Sequence, residues 1–399
     1  MSIAKPDRLK SEIDERVPDL VAMRRDLHEH PELAFEEVRT SGIVAQRLQA
    51  LGLEVQTGVA KTGVVGLLRG GASAANAKTL AIRADMDALP IHEQNKLDYN
   101  SQIDGRMHAC GHDGHTSILL TVADILSRRR AELTSNVKFI FQPAEEVIGG
   151  AEPMVKEGAL VGVDGIIGLH LISNHPLGFV GVRSGTVFAS ADRFVLTVRG
   201  KGGHAAMPDG AIDPIVASAY IITALQTLIS RETSPFSPAV ITIGTINAGT
   251  AFNIIPETAT LQGTMRSYNV EHRAKLLRRI NEVVTGIAAS LGATCTIEHF
   301  DGCPPCINDP HMTELVYKAA VATVGEQQVD TSERVLTAGS DDMGVFLNAV
   351  PGCYFIVGSG NKAKETDFPH HHQRFNVDED ALPIAVEVLT RAALSFAEK

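Results

Sequence analysis

The feature that most constrains this chain is a break in its order of elements near Phe188. Before that point short apolar runs alternate with helical patterns. Leu80-Ala81-Ile82 is followed by a helix from about Thr116 to Arg130, and Val137 to Phe141 by a helix near Ala151 to Glu157. A third apolar run, Gly165-Ile166-Ile167-Gly168-Leu169, closes the series. Upstream, Leu20 to His30 ends before Pro31 and Glu36 to Leu51 ends at Gly52, as helices do. Alternation of this kind predicts an α/β layer around a largely parallel sheet. Beyond Phe188 the order becomes a strand at Arg193 to Arg199, a helix at Ile212 to Ser230, strands at Val240 to Ile246 and Thr258 to Arg266, a helix at Glu271 to Leu291 and a strand at Ala293 to His299. That β-α-β-β-α-β order is ferredoxin-like and occupies about 110 residues, a normal domain size. After Pro304-Pro305 the α/β pattern resumes with a helix near Met312 to Val324, a strand at Cys353 to Val357 and a helix from about Asp380. The fold class expected is therefore α/β, with a mixed, largely parallel sheet flanked by helices in residues 1–187 and 304–399. Residues 188–303 form an inserted ferredoxin-like α+β domain. Two domains suit a chain of 399 residues.

Charge narrows the partners. With 36 basic against 47 acidic residues the net charge is -11, which argues against a nucleic-acid binder, since that needs a basic face. No apolar run approaches the roughly 20 residues of a membrane span, and Met1 to Arg16 is charged where a secretory signal would be apolar. Five cysteines scattered through the chain do not make a disulfide framework, and a reducing cytoplasm is expected.

Four segments carry chemistry. Met107-His108-Ala109-Cys110-Gly111-His112-Asp113-Gly114-His115 packs metal-capable side chains beside a helix start, where a thiolate and an imidazole two residues apart can face one cavity from a loop. Gln142-Pro143-Ala144-Glu145-Glu146 ends a strand in adjacent carboxylates, which point opposite ways if the backbone is extended. One could then bind metal while the other faces an attacking water. His170 closes the third apolar run, and His370-His371-His372 is a histidine run whose composition suggests metal without selecting a member. Asp85, Asp87, Glu145, Glu146 and His170 each follow an expected strand, the edge at which open α/β sheets bind ligands. Cys303-Pro304-Pro305-Cys306 mimics a redox pair but sits at the domain crossover, not at a helix start after a strand.

Together with Arg24-Arg25-Asp26-Leu27-His28-Glu29-His30-Pro31-Glu32 and Arg83-Ala84-Asp85-Met86-Asp87-Ala88-Leu89-Pro90, these segments resemble the metal-dependent amidohydrolases that include hippurate hydrolase, bacterial N-acyl-amino-acid amidohydrolases and plant auxin-conjugate hydrolases. The resemblance runs from about Arg24 to Glu379. It implies two divalent metal ions per subunit, Zn or Mn with Ni or Co as alternatives. Cys110 would bridge them, with His112 and His170 on one metal and Glu146 and His371 on the other. It makes Glu145 the general base and Asp87 a carboxylate supporting the ligands. Gly200-Lys201-Gly202-Gly203-His204 resembles a loop whose histidine, here His204, stabilises the transition state and usually reaches the partner subunit's site. Asn253 and Arg266 stand in segments resembling those that hold the substrate's carbonyl and carboxylate. Residues 188–303 would then be a lid and dimerisation domain of a homodimer or higher homo-oligomer. The implied reaction is amide cleavage of a small-molecule N-acyl or N-aroyl amino acid; a dipeptidase or carboxypeptidase with the same two-metal site is the alternative. Gln373, Val147 and Asp209 depart from residues common in the family, beside the expected pocket.

Overall fold

A computed structural model describes residues 8–71 and 77–397 and divides the chain into two compact units. The first comprises the residues up to Val187, Cys306–Leu336 and those from Asp342 onward. Its eight-stranded sheet contains β1 (Glu54–Val59), β2 (Gly63–Leu68), β3 (Thr79–Asp85), β4 (Asn136–Gln142) and β5 (Gly165–Pro176). The order is β1-β2-β4-β3-β5, continued by Gly352–Gly360 and the short strands Val180–Gly181 and Val329–Asp330. From β4 through β3 and β5 to Gly352–Gly360 the ladders are parallel. The β1–β2 hairpin adds an antiparallel edge to β4, so the sheet is mixed, as expected. All seven residues of β3 are buried, the signature of a parallel strand covered on both faces. The covering helices include Val17–Glu29, His112–Arg128, Pro310–Val324 and Ala381–Ser395, which pack on one another and on the sheet.

The second unit has its own core and a four-stranded antiparallel sheet ordered Ala239–Ala248, Thr258–Ser267, Ala191–Arg199, Thr294–Cys303. In chain order that is strand two, three, one, four, the ferredoxin-like arrangement. Burial alternates residue by residue along Thr258–Ser267, because successive side chains point to opposite faces and one face meets the helices Pro214–Glu232 and Val270–Ser290. Asp213 and Asn269 start these helices by accepting backbone N–H bonds, Asp213 from Ile215 and Val216, Asn269 from His272. The unit is Phe188–Pro305 plus Thr337–Asp341. The latter segment, expected in the first domain, belongs to the second because it pairs with it: Phe188 bridges Thr337 and the Ala189 N–H donates to the Gly339 carbonyl at 2.9 Å. No helix among the described residues is long and apolar enough to cross a membrane.

Candidate metal centre

The first unit gathers its polar side chains at the carboxyl edge of the parallel strands. β3 ends at Asp85, whose partner on β4 is Gln142, the last residue of that strand. Arg83 pairs with Gly168 on β5, which brings His170 level with Asp85. His170 therefore lies inside a strand and not just past its end, as was expected. The reason is that β5 outruns its neighbours, staying paired to Gly352–Gly360 as far as Pro176.

The helix after the Cys/His segment begins at His112, earlier than the expected start near Thr116, so His112 and His115 project from its first turn and not from a loop. Gly111 makes this turn at φ +92°, a left-handed conformation that favours glycine, and it separates Cys110 from His112 at the helix entry. His112 Nδ1 donates to the Asp87 carbonyl at 2.9 Å. Its other nitrogen, Nε2, is buried, lacks a hydrogen-bond partner and lies 3.8–4.0 Å from Asp85, Glu145 and Glu146. His115 is used up differently: Nδ1 meets Asp85 at 2.6 Å, and Nε2 accepts the Leu171 N–H at 2.9 Å. Arg83 holds the other Asp85 oxygen at 2.6 Å and also donates to Gln142 and Asp342. Sequence reasoning assigned no role to Arg83 or His115. The available signals were an arginine inside an apolar strand and a histidine three residues beyond His112, on the same helical face.

Glu145 and Glu146 do not stand in extended backbone. They occupy a turn entered through Ala144 at φ +55°, which lets both reach toward His112 where a strand would have pointed them apart. The Asp87 carboxylate accepts both of their N–H groups at 3.0 Å. Behind the turn, buried Glu37 accepts the Ala144 N–H at 2.9 Å and the Thr62 hydroxyl at 2.5 Å. Burial, opposed by the Thr62 hydroxyl bond, raises the Glu37 pKa.

The histidine run is sorted by backbone. His371 adopts φ +64°, its N–H bonds the Ala109 carbonyl at 2.8 Å, and its Nε2 lies 3.4 Å from Glu146 Oε2. His372 is exposed, its Nδ1 accepting the Arg374 N–H. His370 turns toward Cys110, with Nδ1 3.6 Å from the sulfur and Nε2 accepting the Ser173 N–H at 3.4 Å. The outcome is two donor groups sharing one sulfur. The ligand atoms of Cys110, His112 and His170 lie within 4.8 Å of one another, and so do those of Cys110, Glu146 and His371.

The electrostatics suit divalent cations. Burial would lower the His112 pKa, but Asp85, Asp87 and Glu146 outweigh it and push it up to about 10. Burial, and then Glu146, Glu145 and Asp85, hold the Cys110 thiol well above its ordinary value. The bond to Glu146 raises His371, whereas burial, then His170 and His371, keep His370 well below the usual imidazole range. A thiol and imidazoles forced into their protonated forms by surrounding carboxylates are groups that a cation would deprotonate, replacing the missing positive charge. The unpartnered His112 Nε2 and Glu146 Oε1 fit that reading.

In the second unit, exposed His204 pairs in a short ladder with Ile254, and the Ala205 N–H donates to the Asn253 carbonyl at 3.1 Å. These contacts bring the His204 and Asn253 loops together. Arg266 lies on the strand Thr258–Ser267, half-buried, with a guanidinium N–H on the Thr264 hydroxyl at 3.0 Å.

A mixed α/β sheet with a shared-thiol donor cluster at its carboxyl edge defines a two-metal hydrolase. The chain belongs to the peptidase family M20/M25/M40, whose model matches residues 81–395. It is 39% identical over 399 residues to thermostable carboxypeptidase 1 of Saccharolobus solfataricus, covering 98% of this chain and 99% of that one. Identity to an N-acetylcysteine deacetylase of Bacillus subtilis is 40% over 380 residues, covering 95% and 97%. A solved Bacillus subtilis structure described as a dinuclear metal-binding peptidase of the M20 family matches with a TM-score of 0.83 at 36% identity, covering 96% and 99%.

Proposed function

We propose that this enzyme cleaves the amide bond of N-acyl or N-aroyl amino acids, giving a carboxylic acid and a free amino acid. The observation that carries the reading is the pair of donor groups joined at Cys110 with Glu145 beside them. One ion would be held by Cys110, His112 and His170, and the other by Cys110, Glu146 and His371. Mixed S, N and O donors suit Zn or Mn, with Ni or Co also accommodated. Two ions held there would supply Lewis-acid chemistry, polarising the scissile carbonyl and acidifying the attacking water. Glu145 takes the proton of that water and returns it to the leaving nitrogen. Asp87 keeps Glu145 and Glu146 in place through their backbone N–H groups. His204 donates to the developing oxyanion, while Asn253 and Arg266 bind the carbonyl and the carboxylate of the substrate.

The second unit serves as lid and dimerisation domain of a homodimer or higher homo-oligomer. Support comes from exposed apolar side chains on its helix and edge strand: Ile215, Val216, Tyr220 and Ile246. Five scattered, buried cysteines fit a reducing cytoplasm. Relatives named as carboxypeptidases favour a second reading, cleavage of peptides at the same centre. Metal analysis followed by turnover of an N-acyl-amino-acid panel against dipeptides decides between them. Hydrolysis of dipeptides alone would replace the first reading with the second.

A further inference from the structure

Two imidazoles face the Cys110 sulfur, and their outer hydrogen bonds protonate both on Nδ1 while they turn opposite nitrogens to the sulfur, His170 its Nε2 and His370 its Nδ1. His170 Nδ1 lies 2.7 Å from the Leu171 carbonyl. A carbonyl only accepts, so the His170 proton sits on Nδ1 and Nε2 turns a lone pair toward the sulfur, 3.5 Å away. His370 is reversed. Its Nε2 meets the Ser173 N–H at 3.4 Å, and a backbone amide only donates, so Nε2 carries the lone pair and Nδ1 carries the proton. That Nδ1–H points at the same sulfur from 3.6 Å. His370 is held there by Phe375, with ring centroids 4.8 Å apart, and by the edge of the His170 ring at 5.1 Å.

We propose that His370 is a positioning residue that donates an N–H···S hydrogen bond to the Cys110 thiolate and tunes it as a metal ligand. The inference rests on Cys110 being the shared ligand. A thiolate beside Asp85, Glu145 and Glu146 sits in a strongly negative pocket, and a hydrogen bond to sulfur draws charge from it without adding a ligand. Because Ser173 occupies the other His370 nitrogen, the ring cannot offer a lone pair to the metals while these two bonds persist. That explains how adjacent His370 and His371 take different tasks.

The test uses the full-length protein loaded with Co(II), whose thiolate-to-cobalt charge-transfer band reports on the sulfur. In the parent protein the band should appear with two cobalt ions per chain and vanish in Cys110→Ser. A band unaffected by Cys110→Ser would overturn the ligand reading itself, independently of His370. In His370→Phe two ions should remain bound and the band should move to lower energy, because the sulfur lone pairs lose their stabilising donor. Affinity for at least one ion should fall on the order of 10-fold. His370→Asn, which can set an amide N–H near the Nδ1 position, should return the band toward its original energy. Two ions with an unmoved band in His370→Phe would eliminate the hydrogen bond, and loss of one ion would make His370 a ligand instead.

Discussion

In the proposed ligand set His112 would exchange a proton for a cation, which sets a pH dependence. Its pKa in the metal-free fold is pushed up to about 10, above the ordinary 6.5, by Asp85, Asp87 and Glu146 acting against burial. A raised folded-state pKa contributes stability that is fully present below about 6.5 and is lost as pH climbs through about 10. The metal-free protein should therefore lose thermal stability between neutrality and pH 10. Metal affinity should rise over the same window, since binding displaces the proton. Titration calorimetry in buffers of different ionisation enthalpy should detect proton release at neutral pH, and its absence would remove His112 from the ligand set. Glu145→Gln should keep both metals yet lower kcat by about 10²–10⁴, the usual worth of a positioned proton-transfer group. Near-normal turnover in that variant would mean the base lies elsewhere.

At the scale of elements, the turn at Gly111 and the buried strand β3 control the centre. Gly111→Ala forces a side chain into a left-handed backbone and should cost roughly 1–2 kcal/mol. The space around it is adequate, because an added Cβ would meet atoms no nearer than 3.7 Å. Any loss of stability is thus conformational, and it should be accompanied by weaker metal binding, since Cys110 and His112 flank the turn. Unchanged urea unfolding would refute the strain. Arg83→Leu should be costlier, about 3–5 kcal/mol by chemical denaturation, since it takes from buried Asp85 and Asp342 the guanidinium that both contact.

For the whole molecule, stripping the metals should lower the melting temperature, because bound ions would add ties between candidate ligands drawn from separate segments between Cys110 and His371. At free metal about 1,000-fold above Kd the linkage is worth about 4.1 kcal/mol, so chelation should produce a clear downward shift in calorimetry that added metal reverses. Sedimentation checks the assembly: a dimer is expected, and a fully active monomer would rule out a contribution of His204 to a partner's site.

The fold class was legible in the sequence, as were the side chains able to hold a metal, because both signals are local. Strand burial shows in apolar runs such as Leu80-Ala81-Ile82, the insertion shows in a changed order of elements, and Cys110 with His112 stands in one short motif. Other features depend on contacts remote along the chain. The left-handed turns at Ala144 and His371, the Glu37 support behind Ala144 and the orientation of His371 toward Glu146 are made by partners at Glu37, Ala109 and Glu146. Whether a carbonyl or an amide faces the outer nitrogen decides that His170 turns a lone pair, and His370 an N–H, toward the sulfur. Residue type determines which atoms can hold a metal; the tertiary structure decides where each lone pair points, because only folding brings a distant hydrogen-bond partner to the other side of the ring.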